Sequence, residues 1–239
     1  MFGLYLEDEY GHPWATDFTK NMQLVTMREH NGVQLDSFID SGVANGKPFI
    51  LFWQIVSGDL NHIPRLFYRE TDNGNWQYFF TQGRDGLLGN YSSVHTRVFI
   101  FSDYATHLPH YGAAFWDENN NLLATNESRL LRIEGTFTGK TLGKRLELAG
   151  NYAICACWSG SMGFENAAPG YISSVEFDFA AYYNGGTTVL TNGLAKYSDD
   201  DSWGHVSVSG DMFVWQETGG DRWSADIPSS PYIEASQYI

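Results

Sequence analysis

Few side chains in this sequence are spaced for catalysis or for metal binding. The closest histidine pair, His107 and His110, is interrupted by Pro109, which opposes the helical turn that would bring the two rings together. Zinc would also need two further ligands. The serines of residues 158–163 do not fit the G-x-S-x-G pattern of a hydrolase nucleophile, and they indicate a turn. We therefore predict a protein that is not an enzyme and that holds neither a metal nor a cofactor.

The densest acidic stretch is a run of three aspartates at residues 199–201. Calcium prefers carboxylate oxygens of this kind as ligands. A solvated loop explains the same residues, because adjacent carboxylates repel one another less when water surrounds them. We favour the solvated loop, and the sequence leaves cation binding at this loop open.

Aromatic residues of the last third of the chain could bind a sugar. Trp203, Trp215, Trp223 and Tyr197 lie among Asp and Asn residues. Such side chains stack on sugar rings because they combine apolar area with little loss of conformational entropy. The competing interpretation, which we favour, is that these aromatics fill a core or a subunit contact. A carbohydrate-binding or receptor-binding module, with a bacterial surface glycan as its partner, is therefore the alternative function.

The composition excludes two classes of protein. Of the 239 residues, 28 are Asp or Glu and 14 are Lys or Arg, so the formal net charge is −14, while 16% are aromatic. Disordered chains are poor in aromatic and apolar residues. A protein that binds nucleic acid needs a positive face for the phosphates. We therefore predict a folded protein without a nucleic-acid partner.

No segment of the sequence marks export or membrane insertion. The longest apolar run, residues 152–158, is far shorter than the ~20 residues of a transmembrane helix. The N-terminal residues 1–9 contain acids and no Lys or Arg, unlike a signal peptide. Cys155 and Cys157 lie two residues apart, where an extended chain cannot easily form a disulfide. We expect no membrane span, and synthesis in a reducing cytoplasm.

Strand signals dominate the sequence. Residues 175–179 and 205–209 alternate apolar and polar side chains, as half-buried strands do, and the apolar runs 49–53 and 98–101 suit strands buried on both faces. Clusters of Gly, Asn and Asp separate these segments at short intervals, which is typical of a β-sandwich. Only residues 17–27 also fit a short helix, and the choice between helix and strand stays open there.

These patterns predict an all-β protein made of two β-sandwich-like modules, residues 1–109 and 110–239. A single composite antiparallel β domain is the alternative. The segment from about residue 228 is predicted to be an extended tail that is weakly held.

A short motif near the N-terminus returns 109 residues later without a gap. The matched words are Phe2-Gly3 with Tyr111-Gly112, Asp8-Glu9 with Asp117-Glu118, and Ala15-Thr16 with Ala124-Thr125. Each copy predicts a β-hairpin whose type I turn begins at the aspartate and ends at a residue with positive φ. That last residue is Gly11 in the first copy and Asn120 in the second, and both residue types tolerate the left-handed region.

This hairpin motif resembles the opening of small tail-tip and tail-fibre-associated structural proteins of tailed bacteriophages, a family of unknown function in which a Y-G-L…D-x-x-G hairpin is often repeated. The residues that carry the resemblance are Gly3, Asp8 and Gly11, and then Gly112, Asp117 and Asn120. Asn120 departs from the usual glycine, and Ala-Thr precedes the polar end of both copies.

The resemblance implies a virion structural protein of the tail tip, baseplate or fibre base, which acts in tail assembly and host attachment. Its implied partners are other phage tail proteins and further copies of the same chain. Its implied location is the tail of the virion, after synthesis in the host cytoplasm.

Overall fold

A computed structural model of the chain describes residues 6–7, 13–15, 21–35, 37–58, 64–71, 74–81, 93–117, 119–138, 145–156, 158–165, 172–197, 204–209, 212–217, 221–224 and 229–239. The backbone alone is described for residues 6–7, 13–15, 158–165, 172–177, 193–197 and the strands between 204 and 224.

The chain is all-β. The strands before residue 109 are β1 (Leu6–Glu7), β2 (Pro13–Ala15), β3 (Gln23–Asn31), β4 (Ile39–Ala44), β5 (Ile50–Ser57), β6 (Arg65–Arg69), β7 (Asn75–Thr81) and β8 (His95–Ser102). The later strands are β9 (Ala114–Trp116), β10 (Leu122–Thr125), β11 (Gly135–Thr138), β12 (Arg145–Ala149), β13 (Tyr152–Cys155), β14 (Trp158–Glu165), β15 (Ile172–Tyr183), β16 (Thr187–Tyr197), β17 (Gly204–Ser209), β18 (Met212–Glu217), β19 (Asp221–Ser224) and β20 (Ser229–Glu234). A 3₁₀ helix, Ala235–Tyr238, follows β20.

The main sheet has eleven strands and branches at β5. One edge of β5 pairs with β8, which in turn pairs with β3. The other edge pairs first with β13, through Trp53 and Phe52, and then with β15, through Ile55. Beyond β13 lie β20 and β11, and beyond β15 lie β16 with β12 on one side and β14 with β19 on the other.

Six of these strands form a nearly closed ring in the order β3-β8-β5-β13-β20-β11. The start of β3 meets the residues that precede β11, because the backbone N–H of Leu24 donates to Arg129 at 2.8 Å and that of Leu131 donates to Met22 at 2.7 Å. A small apolar core is buried on the inner face of this ring. Its buried members are Phe52, Phe99, Phe101, Ala153, Cys155, Ile233, Ala235 and Tyr238.

The outer face of the ring packs into a larger core. Alternate residues of β5, such as Leu51, Trp53 and Ile55, are at most 1% exposed and face away from the ring interior. They contact residues of the three-stranded sheet β4-β7-β6, including Tyr78 and Phe80, and residues of β15 and β16. β5 is therefore buried on both faces, as its continuous apolar run predicted.

The two parts of the chain repeat one strand order. In the first part, β3-β8-β5 and β4-β7-β6 are both antiparallel, and in the second part β11-β20-β13 and β12-β16-β15 have the corresponding order. The predicted boundary at residue 109 falls between β8 and β9, and this division stays a prediction. The β5–β13 pairing joins both parts in one sheet, as the composite alternative describes.

Two local expectations are resolved by the strands. The segment that fitted either a helix or a strand is a strand from Gln23 onward, because its side chains alternate between the ring interior and the outer core. The residues after 228 are extended, but they are firmly held: β20 pairs with β11 on one side and β13 on the other, and Ile233 is fully buried.

Candidate interaction site

The second predicted hairpin is formed by β9 and β10. Its antiparallel pairs are Ala114–Thr125, Phe115–Ala124 and Trp116–Leu122. The first hairpin, β1 with β2, pairs Leu6 with Ala15 and Glu7 with Pro13. Adding the 109-residue offset of the sequence repeat to these pairs gives the last two pairs of the second hairpin. Both hairpins also shift register at the corresponding place, so the repeat is present in the backbone pairing.

The turn of the second hairpin is held by one carboxylate. Oδ1 of Asp117 accepts hydrogen bonds from the backbone N–H groups of Asn119 at 2.9 Å and Asn121 at 2.8 Å, and its Oδ2 accepts one from the amide of Asn121 at 2.8 Å. Asn120 has φ of 66° and donates its N–H to the carbonyl of Asp117 at 3.1 Å. Asn120 therefore occupies the left-handed position that the sequence assigned to it.

The base of this hairpin is held by Asn126. Its side chain accepts a hydrogen bond from the N–H of Ala113 and donates one to the carbonyl of Tyr111, both at 3.1 Å. Gly112 lies directly against this amide with φ of 129°, and a Cβ at residue 112 would collide with the Asn126 side chain. Glycine is needed here both for its backbone conformation and for the close approach.

The hairpin keeps large apolar side chains in solvent. Tyr111 is 81% exposed, Leu108 is 62% exposed and Trp116 is 50% exposed. His110 contacts the Tyr111 ring edge-on, with 5.0 Å between the centroids. Single exposed apolar residues are ordinary on protein surfaces, but three on one short segment indicate a surface that a partner covers.

The hairpin is anchored to the ring rather than free. The N–H of Ala105 donates to the carbonyl of Leu122 at 3.2 Å, and the side-chain amide of Gln23 donates to the carbonyl of Leu123. A polar cleft of about 350 Å³ lies beside this attachment, and His107 and Glu127 approach each other within 3.6 Å at its rim. The anchored hairpin can present its apolar residues in a fixed orientation.

The predicted aromatic residues of the last third are not brought together in one strand. Trp215 belongs to β18, which pairs only with β17 in a separate two-stranded sheet, whereas Trp223 lies in β19 and Tyr197 ends β16 of the main sheet. Their side chains, and Trp203 altogether, lie outside the described part of the chain, as do Gly3, Asp8, Gly11 and residues 199–201.

Three residues that shape this site were missing from the sequence prediction: Leu108, Trp116 and Asn126. Trp116 could have been found from strand alternation, since it follows Phe115 in β9 and so faces the opposite side of the hairpin. The role of Asn126 could not, because it depends on a contact with Gly112 across the base of the hairpin.

No group of three or more His, Cys, Asp or Glu side chains is arranged to hold a metal among the residues that the structure describes. Within the same residues, no helix is long and apolar enough to cross a membrane. Comparisons of the chain with protein-family models, with curated proteins and with solved structures gave no match.

Proposed function

We propose that this chain is a non-catalytic structural component of a bacteriophage tail, positioned at the tail tip, baseplate or fibre base, where it acts in tail assembly and host attachment. The observation that carries the proposal is the duplicated hairpin. The motif that resembles phage tail proteins occurs twice, and both copies form hairpins of one register.

The second hairpin supports an assembly role by its chemistry. Tyr111 and Trp116 offer large apolar area, and aromatic residues with few rotatable bonds lose little entropy when a partner covers them. The hydrogen bonds of Asp117 and Asn126 fix the turn and the base before any partner arrives. Such preorganisation lowers the cost of association.

The partners in this proposal are other tail proteins and further copies of the chain. Tail components are arranged around an axis, and closed rotational symmetry is the usual arrangement of identical subunits. The purified protein should therefore be a stable oligomer without added metal in multi-angle light scattering at micromolar concentration. A monodisperse monomer under these conditions would contradict the oligomeric part of the proposal.

The location is tested in virions. Phage particles that carry an epitope-tagged chain should bind gold-labelled antibody at the tail end in electron microscopy. A double variant, Tyr111→Ser with Trp116→Ser, should fold but enter particles far less than the unaltered chain. Ile133→Ser is the matched control, since Ile133 is 45% exposed but lies outside the hairpin. Finished, infectious tails that lack the chain would overturn the proposal.

A further inference from the structure

We propose that residues before and after the β8–β9 boundary form two copies of one folding module, that the surface between them is a homotypic interface related by a local twofold axis, and that Arg65 and Asp178 specify which copies pair. The partner that this surface fits is therefore a second module of the same kind.

The axis is visible where β5 pairs with β13. Phe52 lies opposite Cys155, and Trp53 lies opposite Ile154. On the other side of the Phe52–Cys155 pair, the N–H of Ala156 donates to the carbonyl of Leu51 at 3.0 Å. If Leu51 corresponds to Ile154, the contacts on the two sides of the central pair are the same contact made twice, as a twofold axis requires.

The strand registers support this correspondence independently. Leu51 pairs with Ile100 in β8, and Ile100 pairs with Thr26 in β3. In the second part, Ile154 pairs with Tyr232 in β20, and Tyr232 pairs with Gly135 in β11. Thr26 and Gly135 are thus equivalent, and they are 109 residues apart, which is the offset that aligns the two hairpins.

The same offset recurs on the opposite side of the ring. Met22 and Leu131 are 109 residues apart, and the N–H of Leu131 donates to the carbonyl of Met22 at 2.7 Å. Two equivalent residues therefore meet each other where the ring closes. The axis passes through the ring between this contact and the Phe52–Cys155 pair.

The second sheets obey the correspondence too. The N–H of Asn45 donates to Gly74 at 2.7 Å in the first part, and that of Gly150 donates to Gly186 at 2.9 Å in the second. Three residues after these acceptors come Gln77 and Val189, which pair with Arg69 in β6 and Tyr182 in β15.

Four residues before Arg69 and Tyr182 lie Arg65 and Asp178, so these two residues occupy equivalent positions. They also touch each other: Nε of Arg65 donates to Oδ2 of Asp178, with Arg65 1% and Asp178 5% exposed. In a pair of identical modules, this site would bring two arginines or two aspartates together away from water. Buried like charges repel strongly, so the Arg–Asp combination favours pairing of a first module with a second one.

The first test exchanges the two charges in the full chain. Arg65→Asp and Asp178→Arg should each lower the urea midpoint of unfolding sharply, and the double variant Arg65→Asp with Asp178→Arg should regain most of the loss. Recovery is expected because equivalent positions have equivalent surroundings. A double variant that stays as unstable as the worse single variant would overturn the proposal. This comparison holds even if both single variants fail to fold.

The second test asks whether the charges choose the partner. A chain with Arg65→Asp and a differently tagged chain with Asp178→Arg can restore both ion pairs only by exchanging modules. Co-expression of these two chains should give much more of a two-tag complex by sequential affinity purification than co-expression of two tagged copies of either single variant. Equal recovery from mixed and matched pairs would overturn the proposal.

Discussion

Tyr238 fills one end of the ring of six strands, and its hydroxyl joins the 3₁₀ helix to the segment that closes the ring. The side chain is 2% exposed, and its ring meets Phe101 edge-on with 5.0 Å between the centroids. The hydroxyl donates to the carbonyl of Leu130 and accepts from the N–H of Arg132, both at 2.9 Å. We therefore expect substitutions of Tyr238 to weaken ring closure.

The size of the effect follows from these contacts. Tyr238→Phe leaves the Leu130 carbonyl and the Arg132 N–H without their partner, which costs about 1–3 kcal/mol for each fully buried group. Leu130 is only half-buried and Arg132 is exposed, so water recovers part of this, and we expect a loss of about 2 kcal/mol in the free energy of unfolding. Tyr238→Ala also removes the aromatic ring, and its loss should reach about 5 kcal/mol.

Urea unfolding followed by tryptophan fluorescence measures both losses. For a chain of this size, 2 kcal/mol corresponds to a fall in melting temperature of about 4–8 °C. Ile239→Ala is the matched control, since Ile239 is the next residue, is 50% exposed, and should change stability by less than about 0.5 kcal/mol. A Tyr238→Phe variant as stable as the unaltered protein would show that the hydroxyl does not hold the ring closed.

Three further changes probe other parts of the molecule. Burial, and then the charge of Arg28, lowers the pKa of His30 below its usual 6.5, so stability present above pH 6.5 should be lost as the pH falls through the lower folded pKa, and His30→Gln should show a shallower fall in urea midpoint from pH 7 to pH 5. Gly112→Ala should cost about 1–3 kcal/mol through its positive φ and its collision with Asn126, seen as faster hydrogen exchange in the second hairpin; unchanged exchange would contradict it. Asn120→Val should speed exchange in the same hairpin, whereas Asn120→Gly should not.

Sequence patterns predicted those features that depend on neighbouring residues. The run 98–101 is buried on both faces, as its continuous apolar character indicates. The turn at Asp117 and Asn120 was predictable because a side chain two residues away supplies its hydrogen bonds and one residue needs positive φ. Period, turn chemistry and the 109-residue repeat therefore reach the all-β class and the second hairpin.

Other features depend on pairings between distant residues, and local patterns do not specify them. The tail after residue 228 contains two prolines and two serines, which suggested weak attachment, yet β20 lies between two strands of the ring. Arg65 and Asp178 are 113 residues apart, and each alone resembles a surface charge. Their burial follows only from the association of β6 with β15 across the local axis.

The same pairings decide which surfaces are left for assembly. β5 and β13 use their edges on each other, and residues 129–131 cover the start of β3, so these strands do not offer free backbone groups to a partner strand. β4 ends its three-stranded sheet, but Gly42 has φ of 80° and its N–H is taken by the carboxylate of Asp40 at 2.7 Å. A bulged and charged edge of this kind opposes strand addition. Assembly is therefore expected to use side chains rather than added strands, which makes Tyr111 and Trp116 the residues whose removal should separate incorporation into the tail from folding.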